Sequence, residues 1–224
     1  MPVQRRIRPA VLRMLVAAAT LAGVSASGAA QVARGSGGLP PRDEWQRVAD
    51  IVAALRITEG RRVADIAAGQ GYLTKPLAKM VGKSGTVYAV EISETARRSL
   101  AELAERDSLT NVEIIAGTET DPRLPAHLDG AVILNSYHEM TAYKSMLEAI
   151  RRSLRPGALL VLVDNGVPPG QAPTREEQVR RHGIHPEFVA AELRAAGFEI
   201  ADRQDGFIVQ PLQQWLIVAR RPAS

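Results

Sequence analysis

Hydrophobic and polar residues along this chain fall into alternating blocks. Short, mostly apolar runs recur at Arg62–Ala67, Thr86–Ile92, Val112–Ala116, Ala131–Asn135 and Ala158–Val163. Runs of this length without a polar face read as strands buried on both sides, hence as a parallel sheet. Between them, apolar residues take helical spacing over Tyr72–Met80, Glu94–Arg106, Tyr143–Leu154 and Pro186–Ala196. An opening helix is expected from Glu44 to Leu55 with Asp43 as its cap, because Trp45, Val48, Ile51, Val52 and Leu55 share a face. Polar loops are expected after Ala116 and, at greater length, after Val163. Two last strands, near Phe198–Asp202 and Trp215–Arg220, are joined through Gly206 and suit an antiparallel edge. Strand–helix alternation of this kind predicts a doubly wound α/β sheet with helices on both faces.

Composition divides the chain. The first 30 residues carry Arg5, Arg6, Arg8 and Arg13 as their only charges, then an apolar stretch from Met14 to Ala22, and end Gly28-Ala29-Ala30. A basic start, an apolar centre and a small-x-small end form the pattern of a cleaved signal peptide, so export to the periplasm or beyond is expected; a leader without function would leave the protein cytoplasmic. The apolar stretch is shorter than the roughly 20 residues a bilayer span needs, so no stable membrane span is expected. Residues 31–41 form a Gly/Pro-rich linker, and residues 42–224 the single folded domain. The net charge of +4 points at first to nucleic acid. Without the four leader arginines, however, 24 basic residues face 24 acidic ones, and a nucleic-acid partner loses its electrostatic footprint. The absence of cysteine excludes disulfides, thiolate metal sites and a cysteine nucleophile.

The most informative stretch is Val63-Ala-Asp-Ile-Ala-Ala-Gly-Gln-Gly-Tyr-Leu-Thr74. It reads as a strand, a tight turn at Gly69-Gln70-Gly71 and a helix start, where bare backbone approaches a ligand and free N–H groups face it. Twenty residues after Gly71, Glu91 ends the second strand, where a carboxylate accepts both ribose hydroxyls of an adenosine group. A dinucleotide fingerprint requires a third glycine where this chain has Thr74, which disfavours a nicotinamide oxidoreductase. What stands here, Asp65-x-Ala67-x-Gly69-x-Gly71, resembles motif I of the class I S-adenosylmethionine-dependent methyltransferases, with Ala67 in place of the usual first glycine. Leu154-Arg155-Pro156-Gly157 is similar to that family's turn before its fifth strand, and Glu192 to Glu199 to its last helix end. The segments RDEWQ and NSYHEM resemble a bacterial subgroup of predicted methyltransferases without a settled substrate. The resemblance implies a Rossmann-like, mostly parallel seven-stranded sheet with an antiparallel terminal strand over residues 42–224. It also implies S-adenosylmethionine as methyl donor and a small-molecule acceptor. Without cysteine, arsenic and cytosine-C5 methylation are disfavoured. A non-catalytic nucleoside- or partner-binding module on the same fold is the alternative.

The resemblance puts the methionine end of the cofactor near Asp65, Ala67, Gly69 and Gly71, with Tyr72 packing on it and Glu91 at the ribose. The usual acid for the adenine amino group aligns with Thr118, so Glu119 or Asp121 is expected to substitute, although Asp121-Pro122 also reads as a plain turn. Ligands of open α/β sheets lie beyond the carboxyl ends of the strands, which makes Asn135-Ser136-Tyr137-His138-Glu139 the segment facing the reacting methyl. Asn135 is expected to contact the cofactor. His138 is the candidate general base, Glu139 its orienter or a proton acceptor, and Tyr137 a stacking or hydrogen-bonding group. The competing reading has His138 and Glu139 capping the next helix or bonding within their own loop. His182 and His185 invite a metal, but no third ligand stands near them in sequence, and none is expected; a substrate-facing role suits that segment better. Asp164 and Asn165 are expected to line the same cavity.

Overall fold

A computed structural model describes residues 39–167 and 174–223; the expected signal peptide and linker residues 31–38 lie outside the described residues. The strands are β1 (Arg62–Ile66), β2 (Thr86–Glu91), β3 (Val112–Ala116), β4 (Leu128–Leu134), β5 (Leu154–Asn165), β6 (Glu199–Ile208) and β7 (Gln214–Arg220). The helices are α1 (Val48–Ala54), α2 (Thr74–Val81), α3 (Glu94–Arg106), α4 (Tyr143–Ser153), α5 (Arg175–Val179) and α6 (Pro186–Ala195). They build one seven-stranded sheet in the order β3-β2-β1-β4-β5-β7-β6. The pairs from β3 to β5 are parallel, and β7 runs antiparallel to both β5 and β6. Chain order therefore reverses between β1 and β4, and the crevice beyond their carboxyl ends is where such a sheet binds ligands.

The apolar strand runs are explained by which way each residue faces. Val63, Val132, Val161 and Val163 pack with α1 and α2 on one side, while Ala64, Ile66, Ile133, Leu160 and Leu162 pack with α4 and α6 on the other. Side chains alternate across a strand, so a strand covered on both faces has no polar register to show.

Four expectations change. The opening helix is shorter: Arg42–Glu44 form a 3-10 turn and α1 begins only at Val48. Arg47 breaks it with a left-handed backbone, φ 53°, while its guanidinium donates to the Phe207 carbonyl at 2.6 Å and lies over the Phe207 ring. Asp43 thus caps no helix, and Gln46 is the fully buried residue in between. Strand β5 starts at Leu154, because Pro156 and Gly157 sit at a register shift against β4 and do not end the pairing. Strand β6 extends to Ile208; its Asp202-Arg203-Gln204-Asp205 stretch is a charged, exposed edge that conceals the strand in the sequence. Within the expected long loop, α5 is opened by a capping box of Thr174 and Glu177. Among the described residues, no helix is long and apolar enough to cross a membrane.

Candidate active site

The turn after β1 turns sharply on Ala67, Gly69 and Gly71, with φ of 56°, 57° and 87°. The two glycines serve different ends. A Cβ on Gly69 would meet no atom within 4 Å, so this backbone borders open space. A Cβ on Gly71 would lie 2.2 Å from Leu103, because α3 packs directly against the turn. Ala67 takes the left-handed conformation with a side chain, a strain of about 1–2 kcal/mol that glycine avoids. Thr74, where a dinucleotide site has its third glycine, is buried and donates to Asp65 Oδ2 at 2.7 Å, locking the start of α2 to the end of β1.

Two acidic residues converge on this turn. Glu91 leaves β2 with its carboxylate accepting from three backbone amides: Gly69 at 3.0 Å, Ile92 at 2.8 Å and Ser93 at 3.0 Å. A carboxylate has about four acceptor sites, so these bonds fix its rotamer and leave little spare capacity until the Gly69 amide is released. Asp65 is buried. Its pKa rises from 3.8 to about 6, chiefly through burial; the Thr74 hydroxyl opposes the rise, Glu91 adds to it and Arg42 opposes it.

Two lobes meet at Ala67, Gly69 and Ser136. The larger, about 870 Å³, is lined by Asp65, Gly71, Tyr72 and Asn135 together with Arg42 and Asp43 of the opening 3-10 turn. Arg42 lies 4.0 Å from the Tyr72 ring centre. Burial, with Asp43 beside it, pushes the Tyr72 hydroxyl up to about 12. The smaller, about 410 Å³, is lined by Glu91, Ile92, Thr118, Glu119, Glu139 and Met140. Both volumes fall in the usual ligand range of roughly 300–1,000 Å³. Ile92 is an exposed apolar side chain, 56% accessible, directly after Glu91. Thr118 borders the lobe, but its hydroxyl closes its own turn, donating to the Asp121 carbonyl and accepting from the Asp121 amide. Asp121 is thus a turn residue, and Glu119 is the acid of this loop at the lobe.

Beyond β4 the expected segment splits. Asn135 has a left-handed backbone, φ 56°, and its side chain joins Gln46, Asn165 and Gln214 in a carboxamide network centred on the fully buried Gln214. Tyr137 does not line either lobe. It is fully buried in the core, its hydroxyl donates to Glu192 at 2.7 Å, and Glu192 also holds Arg175. Burial first, then the Glu192 charge, drives its pKa far above the ordinary phenol value. The stacking or hydrogen-bonding role expected of it toward cofactor or substrate is replaced by a structural one.

His138 is also buried, and it is gripped by a partner whose role sequence reasoning missed. Asp164, fully buried at the end of β5, lies 2.8 Å from His138 Nδ1 and accepts from the His138 amide at 2.9 Å. The other ring nitrogen lies 3.8 Å from the exposed Glu139 carboxylate. Burial opposes protonation of His138, but the Asp164 hydrogen bond and charge, helped by Glu139, outweigh it and raise the pKa above 6.5. Neither residue caps α4, whose N-cap is Ala142. The fold also carries His182 to His138, with ring centres 6.3 Å apart, whereas His185 caps α6 through the Glu187 amide. Arg42 and Gln46 were missed too: Gln46 was hidden inside an expected regular helix, and Arg42 stands just before it.

Residues 63–157 match the family described as "Methyltransferase domain". A ubiquinone/menaquinone biosynthesis C-methyltransferase of Pseudomonas fluorescens is 31% identical over 131 residues, 55% of this chain and 48% of that protein. A demethylmenaquinone methyltransferase of Geobacillus stearothermophilus is 24% identical over 126 residues, 56% of this chain and 53% of that protein. The chain thus spans about half the length of the curated relatives it matches. A solved S-adenosylmethionine-dependent methyltransferase of Aquifex aeolicus superposes with a TM-score of 0.69 at 25% identity, covering 81% of this chain and 93% of that one. Sheet order and family match agree: residues 63–157 match a methyltransferase domain, within a sheet that has the fold of a solved S-adenosylmethionine-dependent methyltransferase.

Proposed function

We propose that this protein transfers a methyl group from S-adenosylmethionine to a small-molecule acceptor. The observation that carries the proposal is the convergence of Gly69 and Glu91: bare backbone borders the cleft where a fixed carboxylate ends the next strand. These residues fit an adenosyl group. Glu91 accepts from the ribose hydroxyls once the Gly69 amide lets go, Ile92 offers an apolar surface to the purine, and Glu119 accepts from its amino group. Asp65 and the Ala67–Gly71 turn hold the methionine end, with Tyr72 and Asn135 beside it. When bound, the cofactor supplies a methyl group on a positively charged sulfur, open to in-line attack.

His138 removes the acceptor's proton at Nε2. Asp164 accepts only, so it keeps the other ring proton on Nδ1 and holds the imidazole in the tautomer with a free Nε2 lone pair. Glu139 adds negative charge beside that nitrogen. The family match ends at residue 157, before Asp164 and His182, so the relatives' acceptors do not transfer with it. A module that binds nucleosides without catalysis is not favoured, because it has no use for a buried His–Asp pair next to Glu139, which lines the cleft. The leader fits an exported protein; a fusion of residues 1–38 to a reporter active only outside the cytoplasm tests this, and an inactive reporter rejects it.

The test is calorimetric titration of the protein with S-adenosylmethionine, its demethylated product and NAD. Saturable binding of the two sulfur compounds, but not NAD, is expected, followed by methyl label appearing on a small molecule from a cell extract. Failure of both sulfur compounds to bind rejects the proposal.

A further inference from the structure

The fold gathers a second constellation at the edge of the cleft. The donor atoms of His138, Glu139 and His182 all lie within 4.8 Å of one another. His182 is 44 residues from His138 in sequence and reaches it only because β5 and α5 fold back over the 3-10 turn Tyr137–Glu139. Its backbone has left-handed geometry, φ 55°, and is pinned at both ends: its amide donates to the Val179 carbonyl and its carbonyl accepts from Asn165.

We infer that His138 Nε2, Glu139 and His182 form a binding site for one divalent transition-metal ion. Three features carry this. First, the donor set is two imidazoles and one carboxylate, a borderline set that suits Zn²⁺, Co²⁺ or Ni²⁺ and not the oxygen-seeking Mg²⁺ or Ca²⁺. Second, the supporting shell is already built. Metal-binding histidines usually donate their other N–H to a carboxylate, which fixes ring and tautomer. The fully buried Asp164 does so for His138 from 2.8 Å. Third, the geometry closes easily. Donors around a tetrahedral ion with bonds of about 2.0–2.1 Å lie about 3.3 Å apart. Here His138 Nε2 and Glu139 are at 3.8 Å, and the Glu139 side chain, 67% exposed, is free to rotate inward.

Three protein ligands leave one position for water or for an oxygen, nitrogen or sulfur atom of a bound molecule, whose proton the ion makes more acidic. Glu139 also lines the smaller lobe, so that position opens toward the cleft. The ion and a proton compete for the same His138 lone pair, so the loaded site and a general-base His138 exclude each other. The metal site itself does not rest on the methyl-transfer reading.

The experiment is calorimetric titration of the untagged protein with Zn²⁺ alone, without methyl donor, and with Co²⁺ followed by visible absorption. One ion per chain is expected, and Co²⁺ should show the intense bands of a four- or five-coordinate site. His182→Ala and Glu139→Ala change exposed side chains, so the fold should be kept; each should weaken Zn²⁺ binding at least tenfold. His185→Ala should change it less than twofold. No saturable uptake by the wild type overturns the inference. So does affinity unchanged in both His182→Ala and Glu139→Ala, or lost equally in His185→Ala. Because no methyl donor is present, these outcomes are independent of whether methyl transfer is found.

Discussion

Asp65 offers the sharpest test of how the cofactor is held. Its pKa in the folded protein is about 6 against an ordinary 3.8, a difference of about 2 on the pH scale. At about 1.36 kcal/mol per unit, ionising it inside the empty fold costs on the order of 3 kcal/mol. The sign follows from proton binding. Between pH 3.8 and about 6 the folded state holds more protons than the unfolded state, so this group's contribution to stability is present below 3.8 and lost as pH rises through about 6. A cationic ligand group reverses the preference. If the ammonium of S-adenosylmethionine sits on Asp65, binding requires the ionised carboxylate. Affinity should be flat above about pH 7 and fall toward tenfold per unit below about 6. Asp65→Asn keeps an acceptor for Thr74 and removes the charge. It should raise the melting temperature of the ligand-free protein at pH 7. It should also weaken S-adenosylmethionine binding by roughly 10- to 150-fold, the worth of a charge-assisted hydrogen bond of about 1.5–3 kcal/mol, and flatten its pH profile. Calorimetry from pH 5 to 8 with parallel thermal melts measures all three. Undiminished affinity in Asp65→Asn, or a wild-type affinity that does not fall on acidification, would refute the reasoning.

Other substitutions probe the remaining parts of the site. Glu91→Ala should abolish measurable S-adenosylmethionine binding by calorimetry while the circular dichroism spectrum stays that of the wild type; retained affinity would place the ribose elsewhere. Ala67→Gly relieves a left-handed alanine, offset in part by the greater freedom of the unfolded chain, and should stabilise the protein by under about 1 kcal/mol in urea unfolding. Asp164→Asn removes the charge, and one of the two acceptor oxygens, that raise the His138 pKa, so the acid limb of turnover should move to lower pH while maximal turnover falls on the order of 100-fold. Neutral His138 is the working form, hence turnover should rise with pH through that limb in both proteins. Tyr137→Phe should cost about 1–2 kcal/mol of stability through the lost Glu192 bond, with turnover within a few-fold of wild type.

The sheet was legible because burial on both faces writes itself into sequence as unbroken apolar runs. Helix α3 and strand β3 have the expected ends. Ser93 caps α3 and Asp107 ends it, so local signals and packing agree there. Elements were misread where tertiary contacts override local preference. The helical spacing of Trp45 to Leu55 is genuine, but Arg47 is drawn out of it by the Phe207 carbonyl and ring, contacts 160 residues away. The polar β6 is a strand only because β7 supplies its partner. The capping box at Thr174 and Glu177 was written in the sequence, and it signals a helix of only five residues.

The site divides along the same line. The half proposed to hold the cofactor is a local motif: Asp65, Ala67, Gly69, Gly71 and Thr74 lie within ten residues, and Glu91 follows at the end of the neighbouring strand. The half proposed for the reaction is assembled from distant segments. His138 gains its meaning from Asp164, 26 residues on, and from His182, which comes in through the chain that follows β5. Tyr137 adjoins His138 in sequence but bonds Glu192 of α6, whereas His138 bonds Asp164 of β5. Backbone strain marks the join between the halves. Ala67 and Asn135, at the carboxyl ends of the adjacent strands β1 and β4, are both non-glycine residues in the left-handed region. Strain of this kind persists only where its surroundings enforce it. Here the enforcing contacts are α3 packed on the β1 turn and the buried Gln214 holding Asn135. Both strained residues lie at the topological switch point, so the same packing that orders the sheet also shapes the floor of the cleft.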